Sequence, residues 1–210
     1  MTRLTTQLFI KRLFDIVTTG IALILLSPVL IVLAILVRLK LGSPVLFCQQ
    51  RPGLNGKAFT IFKFRTMINK QYDKSGNIIA DSQRLTKFGR FLRNMSLDEL
   101  PEFLNVLKGD MSLVGPRPLM MKYLDRYTPQ QARRHEVKPG ITGWAQINGR
   151  NNIIWEEKFE LDVWYIDNWS IWLDLKILFK SIIAVLKRQD VNKQGQATVD
   201  EFMGTQQSEN

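Results

Sequence analysis

The sequence predicts a mostly helical α+β fold: a re-entrant membrane helix hairpin broken at Ser27-Pro28, a small β-hairpin and surface amphipathic helices. Three observations predict it. Residues 16–37 carry no charged side chain. At 1.5 Å per residue such a helix is about 33 Å long, enough to cross a bilayer. Two apolar runs flank the turn-rich stretch RPGLNGK, which reads as strand, loop, strand. Downstream, apolar residues recur at helical spacing.

In the apolar run, Pro28 lacks the backbone donor that an unbroken helix needs there, and its ring clashes with the carbonyl four residues back. Ser27 can hydrogen-bond the backbone groups thus freed. Lys11 and Arg12 precede the run and Arg38 and Lys40 follow it, so the positive-inside tendency draws both ends into the cytoplasm. A helix bent at Ser27-Pro28 satisfies both constraints. A cleavable signal peptide fits less well, because no A-x-A-like site follows the run.

In the second strand of the hairpin, alternation sets Lys63 and Arg65 on one face and Phe62 and Phe64 on the other. Two cations about 7 Å apart on one face could clamp a diphosphate, but these residues alone favour a solvated strand face. The polar stretch around Gly76 reads as a loop. SQRLTKFGRFLRNM reads as a basic amphipathic helix: Arg84, Lys87, Arg90 and Arg93 recur beside the stripe Leu85, Phe88 and Leu92.

Leu100, Phe103, Leu104 and Leu107 predict the next helix. With Asp98 as N-cap, Pro101 falls among donors that need no partner. Asp98 and Glu99 then stand at a helix N-terminus, which favours ionised carboxylates and phosphate. Adjacent carboxylates also suit a hard divalent cation. A plain cap, or a Ser96/Glu99 capping box, explains the same residues structurally. In GPRP, Arg117 stands between two residues of fixed φ, a rigid placement that suits bidentate phosphate binding or a surface turn. KPGITGWAQINGR reads as a glycine-rich loop ending in Arg150. Two further helices break near residues 168–170. Trp155, Trp164, Trp169 and Trp172 concentrate there, as at a bilayer interface. The end of the chain is polar and reads as loosely ordered.

Composition narrows the function. The 210 residues carry 29 Lys+Arg against 19 Asp+Glu, a net +10 that points to an anionic partner. A single cysteine, Cys48, excludes an internal disulfide. A single histidine, His135, excludes His/Cys zinc clusters and leaves little for a His-assisted nucleophile.

Together KRLFD, the SP break, RPGLNGKAFTIFKFRTM, LTKFGRFLRNMSLDELPEFLNVLKGDMSLVGPRP, KPGITGWAQINGR, FELDVWYIDNWSIWLDLKIL and GQATVDEF resemble the bacterial sugar transferases of the small monotopic polyprenol-phosphate phosphoglycosyl transferase superfamily. The resemblance covers essentially the whole chain. It implies transfer of a phosphosugar from a UDP-sugar to a polyprenol phosphate, typically undecaprenyl phosphate, with release of UMP and with Mg²⁺. It implies a monotopic protein of the bacterial inner membrane, on its cytoplasmic face. It implies a covalent phosphosugar on Asp98, with Glu99 assisting, Asp98 and Glu99 as the metal site and Arg117 on phosphate. Lys63, Arg65, Arg93 and Arg150 match basic positions assigned to phosphate. The implied organisation is a re-entrant helix with its flanks at 1–40, a catalytic domain at 41–190 and a polar tail at 191–210. UDP-sugar, lipid phosphate and membrane are the expected partners. Nucleic acid is not, and a homo-oligomer stays open. Two other readings remain: a membrane-bound nucleotide-sugar diphosphatase using water as acceptor, and a basic membrane-anchored binding protein. The sugar, acetamido or other, and the glycoconjugate pathway are not written in these residues.

Overall fold

In the computed structural model, which describes residues 3–69, 72, 76–149, 153–187 and 201–205, the apolar run lies within one 39-residue helix, α1 (Arg3–Leu41). It is long and apolar enough to cross a membrane. The expected break at Ser27-Pro28 does not end the helix, which continues through Pro28. The physical reason is local. Pro28 offers no N–H to the Ile24 carbonyl, and Ser27 Oγ donates to that oxygen instead, at 2.8 Å.

Both ends of α1 are held by the rest of the chain, and its middle is not. Lys11 Nζ donates to Asp174 Oδ2 at 2.5 Å and to Val114 O at 3.1 Å. Arg12 donates to Val106 O and Leu107 O at 2.6 and 2.9 Å. Asp15 Oδ1 accepts from Leu113 N. At the other end Leu33, Val37 and Leu41 join a core cluster with Phe64 and Leu92. Between them Ile21, Ile24, Leu25, Ile31 and Val32 stay exposed.

The hairpin forms as expected: β1 (Leu46–Pro52) pairs antiparallel with β2 (Ala58–Phe64), Leu46 opposite Phe64 and Pro52 opposite Ala58. Its loop holds a 3₁₀ turn, with Asn55 and Gly56 at positive φ. The basic amphipathic segment is two helices rather than one, α2 (Asp81–Arg84) and α3 (Lys87–Asn94). Thr86 divides them because its Oγ1 caps α3 by accepting from Gly89 N at 2.9 Å. Gly89 lies so close to the Thr66 backbone that a Cβ would fall 1.8 Å from its oxygen, so no larger residue fits.

The next helix also starts later than expected. Ser96 takes a left-handed conformation, Leu97–Glu99 form a 3₁₀ turn, and Pro101 is the N-cap of α4 (Glu102–Lys108). Asp98 is therefore not the cap, and Ser96 makes no capping hydrogen bond. α4 is fastened to the outer edge of β2 by the buried Asn105: Phe62 N–H donates to its Oδ1 at 3.1 Å, and its Nδ2 donates to Thr60 O at 2.7 Å. One amide thereby satisfies two strand-edge groups that would otherwise lie unpaired.

Beyond α4, β3 (Ser112–Val114) pairs parallel with β4 (Gly140–Thr142), and between them run α5 (Pro129–Ala132) and two 3₁₀ turns. The strands bury their apolar residues with Ile61, Val106, Met111, Tyr165 and Ile177 in the main core. After α6 (Trp144–Asn148), α7 (Trp155–Asp167) and α8 (Ile171–Leu186) divide at residues 168–170 as expected. Ser170 caps α8 by accepting from Leu173 N. Of the four tryptophans there, Trp172 is 80 % exposed and Trp164 is half exposed, stacked on Trp144. Trp155 belongs to an internal aromatic cluster, and Trp169 donates to Asp174. The polar tail is corrected in part: within residues 201–205, Phe202 is buried against Tyr123 and Phe159.

Candidate active site

β2, the 3₁₀ turn, α4 and the loop after β3 bring one cluster of charges together. Lys63 reaches from β2 to Glu99 Oε1 at 2.7 Å and to Glu102 Oε1 at 2.9 Å. Arg117 also closes on Glu99 with both terminal nitrogens, Nη1 at 3.4 Å from Oε2 and Nη2 on Oε1. Glu99 is thus clamped between two cations. Burial opposes its charge, but Arg117 and Lys63 outweigh burial and hold its carboxyl well below the usual range.

Asp98 is different. It is 8 % exposed, and among the described residues its carboxylate has no hydrogen-bond or ion-pair partner. Burial, and then the neighbouring Glu99 charge, push it up to about 6. A helix N-terminus would have lowered it, and Asp98 does not occupy one. Lys63, Arg93 and Arg117 pull in the other direction and keep it ionised at neutral pH. The site therefore holds two unlike carboxylates side by side: Glu99 paired with two cations, and Asp98 charged, buried and without an ion-pair partner among the described residues. That is the condition of an available nucleophile or oxygen ligand.

The loop carrying Arg117 is fixed from beneath. Gly115 N donates to Thr142 O, and Gly140 N donates to Pro116 O. The buried Arg134 donates to Arg117 O at 2.8 Å and to Asp162 Oδ2 at 2.7 Å. Arg134 and Asp162 side chains are 1 % and 2 % exposed. Removing one partner strands the other's charge, so Asp162→Ala should lower unfolding stability by about 3–5 kcal/mol. Denaturant unfolding of the two proteins side by side checks this.

Of the residues expected to bind phosphate, Lys63 and Arg117 meet around the carboxylates, and Arg93 stands near Asp98 with its Nε on Thr66 Oγ1 at 3.1 Å. Arg65 does not join them. It is buried, with Nη1 on Ser43 O at 2.9 Å and Nη2 on Leu41 O, where it ties down the last carbonyl of α1. Its place on the Lys63 face is kept, but the two side chains leave the strand toward different neighbours. Arg150 lies outside the described residues.

Two neighbours went unread. Glu102 is 2 % exposed, and burial followed by the Glu99 charge pushes it up to about 7. Its spacing of three from Glu99 was the available signal. Arg51 is on the same hairpin face as Lys63, since Phe47 lies opposite Lys63 and β1 alternates. Burial and then the Arg117 charge lower its pKa.

Among the described residues no three acidic or histidine side chains are arranged to hold a metal by themselves. Mg²⁺ commonly takes one or two carboxylates and completes its shell with phosphate oxygens and water. Asp98, unpaired among the described residues, fits that mode as one carboxylate ligand, and Glu99 fits it as a second once a cation leaves it.

Comparison with known proteins supplies an independent line. The family described as bacterial sugar transferase matches residues 6–188. The chain is 59 % identical over 199 residues to the uncharacterized sugar transferase EpsL of Bacillus subtilis (strain 168), covering 94 % of this chain and 98 % of that one. It is 44 % identical over 182 residues to the UDP-glucose:undecaprenyl-phosphate glucose-1-phosphate transferase of Escherichia coli (strain K12), covering 82 % of this chain and 39 % of that one. It is 41 % identical over 185 residues to the UDP-N-acetylgalactosamine-undecaprenyl-phosphate N-acetylgalactosaminephosphotransferase of Aeromonas hydrophila, covering 85 % and 44 %. The chain thus spans nearly all of the first relative and about two fifths of the other two.

Proposed function

The chain belongs to the bacterial sugar transferase family, and from that premise we propose that it transfers a phosphosugar from a UDP-sugar to a polyprenol phosphate such as undecaprenyl phosphate, releasing UMP. The relatives named for this reaction support it. The observation that carries it in this chain is the Asp98 carboxylate, unpaired among the described residues, beside the Arg117–Glu99–Lys63 clamp.

The chemistry follows from the charges. An incoming diphosphate competes with Glu99 for Arg117, whose side chain is 42 % exposed and turned toward solvent on one side. Arg117, Lys63 and Arg93 offset the negative charge that would repel an attacking carboxylate. An Asp98 oxygen attacks the sugar-bearing phosphorus. The bond from that phosphorus to the oxygen it shares with the other phosphate breaks, and UMP leaves with the electron pair. Asp98 is left as an acyl phosphate carrying the sugar. An oxygen of the lipid phosphate then attacks the same phosphorus and returns Asp98 as a carboxylate. Above pH 6 neither half-reaction needs a proton. Mg²⁺ held by Asp98, and by Glu99 once the diphosphate has drawn Arg117 from it, would supply charge neutralisation at the diphosphate.

Membrane placement follows from the docking of α1. A crossing of the roughly 30 Å hydrocarbon core would put residue 15 on the side opposite residue 38. Yet Lys11, Arg12 and Asp15 bond to residues 106–114 and 174, and Leu33, Val37 and Leu41 pack on the same folded body. These contacts support a re-entrant helix whose exposed apolar middle enters the cytoplasmic leaflet and returns, a monotopic arrangement. A cysteine placed near the N-terminus should resist membrane-impermeant reagents applied from outside the cell. Labelling from outside would contradict the arrangement. Ser27→Leu with Pro28→Leu removes the proline and the hydroxyl that answers for its missing N–H, stiffens the helix and should drive the N-terminus across.

A UMP-release assay over a panel of UDP-sugars, with and without undecaprenyl phosphate, tests the reaction itself. Turnover that needs the lipid supports transfer. Equal turnover without lipid, with free sugar phosphate formed, would make the protein a diphosphatase.

A further inference from the structure

We propose that the C-terminal segment 201–205 is a positioning strap for Arg117, a role that rests on the reading of Arg117 as the diphosphate contact. The segment is docked through both its backbone and its side chains. Arg126 Nη1 donates to Phe202 O at 2.5 Å and to Glu201 Oε1 at 2.8 Å, and Lys122 Nζ lies 2.5 Å from Glu201 Oε2. Phe202 N–H donates to the Tyr123 hydroxyl at 3.3 Å. Gln131 Nε2 donates to Thr205 Oγ1 at 2.8 Å. The Phe202 ring is 1 % exposed. It meets Phe159 edge-on at 4.9 Å and stacks on Tyr127 at 5.8 Å.

Those two rings are the ones that carry Arg134. Its guanidinium lies 5.5 Å from the Phe159 ring and 5.8 Å from the Tyr127 ring, and its Nη1 donates to the Tyr127 hydroxyl at 3.2 Å. Arg134 in turn holds the Arg117 carbonyl. The order of contact is Phe202, then Tyr127 and Phe159, then Arg134, then the backbone of Arg117. Arg117 itself has a half-exposed side chain that must exchange Glu99 for substrate. A fixed backbone limits the arcs through which that guanidinium can swing, and oriented binding groups lose affinity quickly when their base loosens. A short segment docked through a few contacts can open locally without unfolding the protein.

The test uses the full chain and UDP as probe, with binding measured at equilibrium by calorimetry. Phe202→Ala should keep its fold and bind UDP several-fold more weakly, about fivefold if one charged contact is partly lost. A synthetic peptide of residues 195–206, added at millimolar concentration, should restore the affinity by filling the vacated aromatic site. In an Arg117→Ala background, Phe202→Ala should cost nothing further, because the strap acts through Arg117. Unchanged UDP affinity in a folded Phe202→Ala chain would overturn the proposal. So would an equal loss in the Arg117→Ala background, which would assign the effect elsewhere. Failure of the unaltered chain to bind UDP at all would instead overturn the reading of the site on which the strap depends.

Discussion

Asp98→Asn should fold normally, sit in the membrane and lose turnover by roughly three orders of magnitude or more, as expected when a covalent nucleophile is removed. The carboxamide keeps the shape of the side chain, and among the described residues no ion pair is broken by the change, because Asp98 has none. The loss is therefore chemical: an amide cannot supply the attacking charge. The pH dependence carries the same signature. Burial and Glu99 push Asp98 up to about 6, so the nucleophilic form is the minority below that pH and dominant above it. The rate of the first half-reaction should climb as pH rises through about 6 and then level off. Initial-rate measurements across that range, at equal folded protein, check both statements. An Asp98→Asn protein that turns over well would leave Asp98 as a metal ligand only.

Arg117→Lys should also lose most activity although it keeps the charge. In the resting site the planar guanidinium spans both oxygens of Glu99. A diphosphate oxygen pair presents the same fork, which one ammonium cannot match. Each lost charged hydrogen bond is worth about 1.5–3 kcal/mol, so at least a tenfold fall in kcat/KM is expected. Lysine would still neutralise Glu99, so stability should change little and the loss should appear in kinetics alone. Near-normal turnover at equal folded protein would return Arg117 to the role of a turn residue.

What was legible in the sequence was local. The hairpin followed from two apolar runs around RPGLNGK, and the division of α7 from α8 followed from Ser170, whose hydroxyl caps the second helix. α4 starts later than Pro101 and the apolar spacing suggest, because the left-handed Ser96 turns the chain so that Asp98 falls in a 3₁₀ turn. No local pattern could have shown this, because Ser at positive φ has no signature of its own. Strand alternation placed Lys63 and Arg65 on one face, but it could not show that the end of α1 arrives beside Arg65 and takes its hydrogen bonds. The same limit hid Arg134 and Asp162, which are 28 residues apart and meet only through the packing of α7. Phe202 is the one aromatic residue of a mainly polar tail, and its partners, Tyr123, Tyr127 and Phe159, lie far back in the chain.

The basic balance also acquires a different meaning. An excess of +10 suggested a surface for anions. Several of these cations instead stay within the protein: Arg12 on the carbonyls that end α4, Arg65 on the end of α1, Lys11 on Asp174 and Arg134 on Asp162. Lys63 and Arg117 turn toward the one site where a diphosphate would compete for them. That distribution suits a protein that binds one small anion at a defined place better than one that binds nucleic acid along a solvated face.

If the sugar phosphate passes through Asp98, intact-protein mass spectrometry will catch it there. The purified chain is incubated with its UDP-sugar and no lipid, quenched, weighed and digested. A mass increase of one phosphosugar is expected, located on Asp98, equimolar with UMP released, absent from Asp98→Asn and erased when undecaprenyl phosphate is added. No adduct under conditions where the complete mixture turns over, with initial rates that require both substrates bound together, would contradict it.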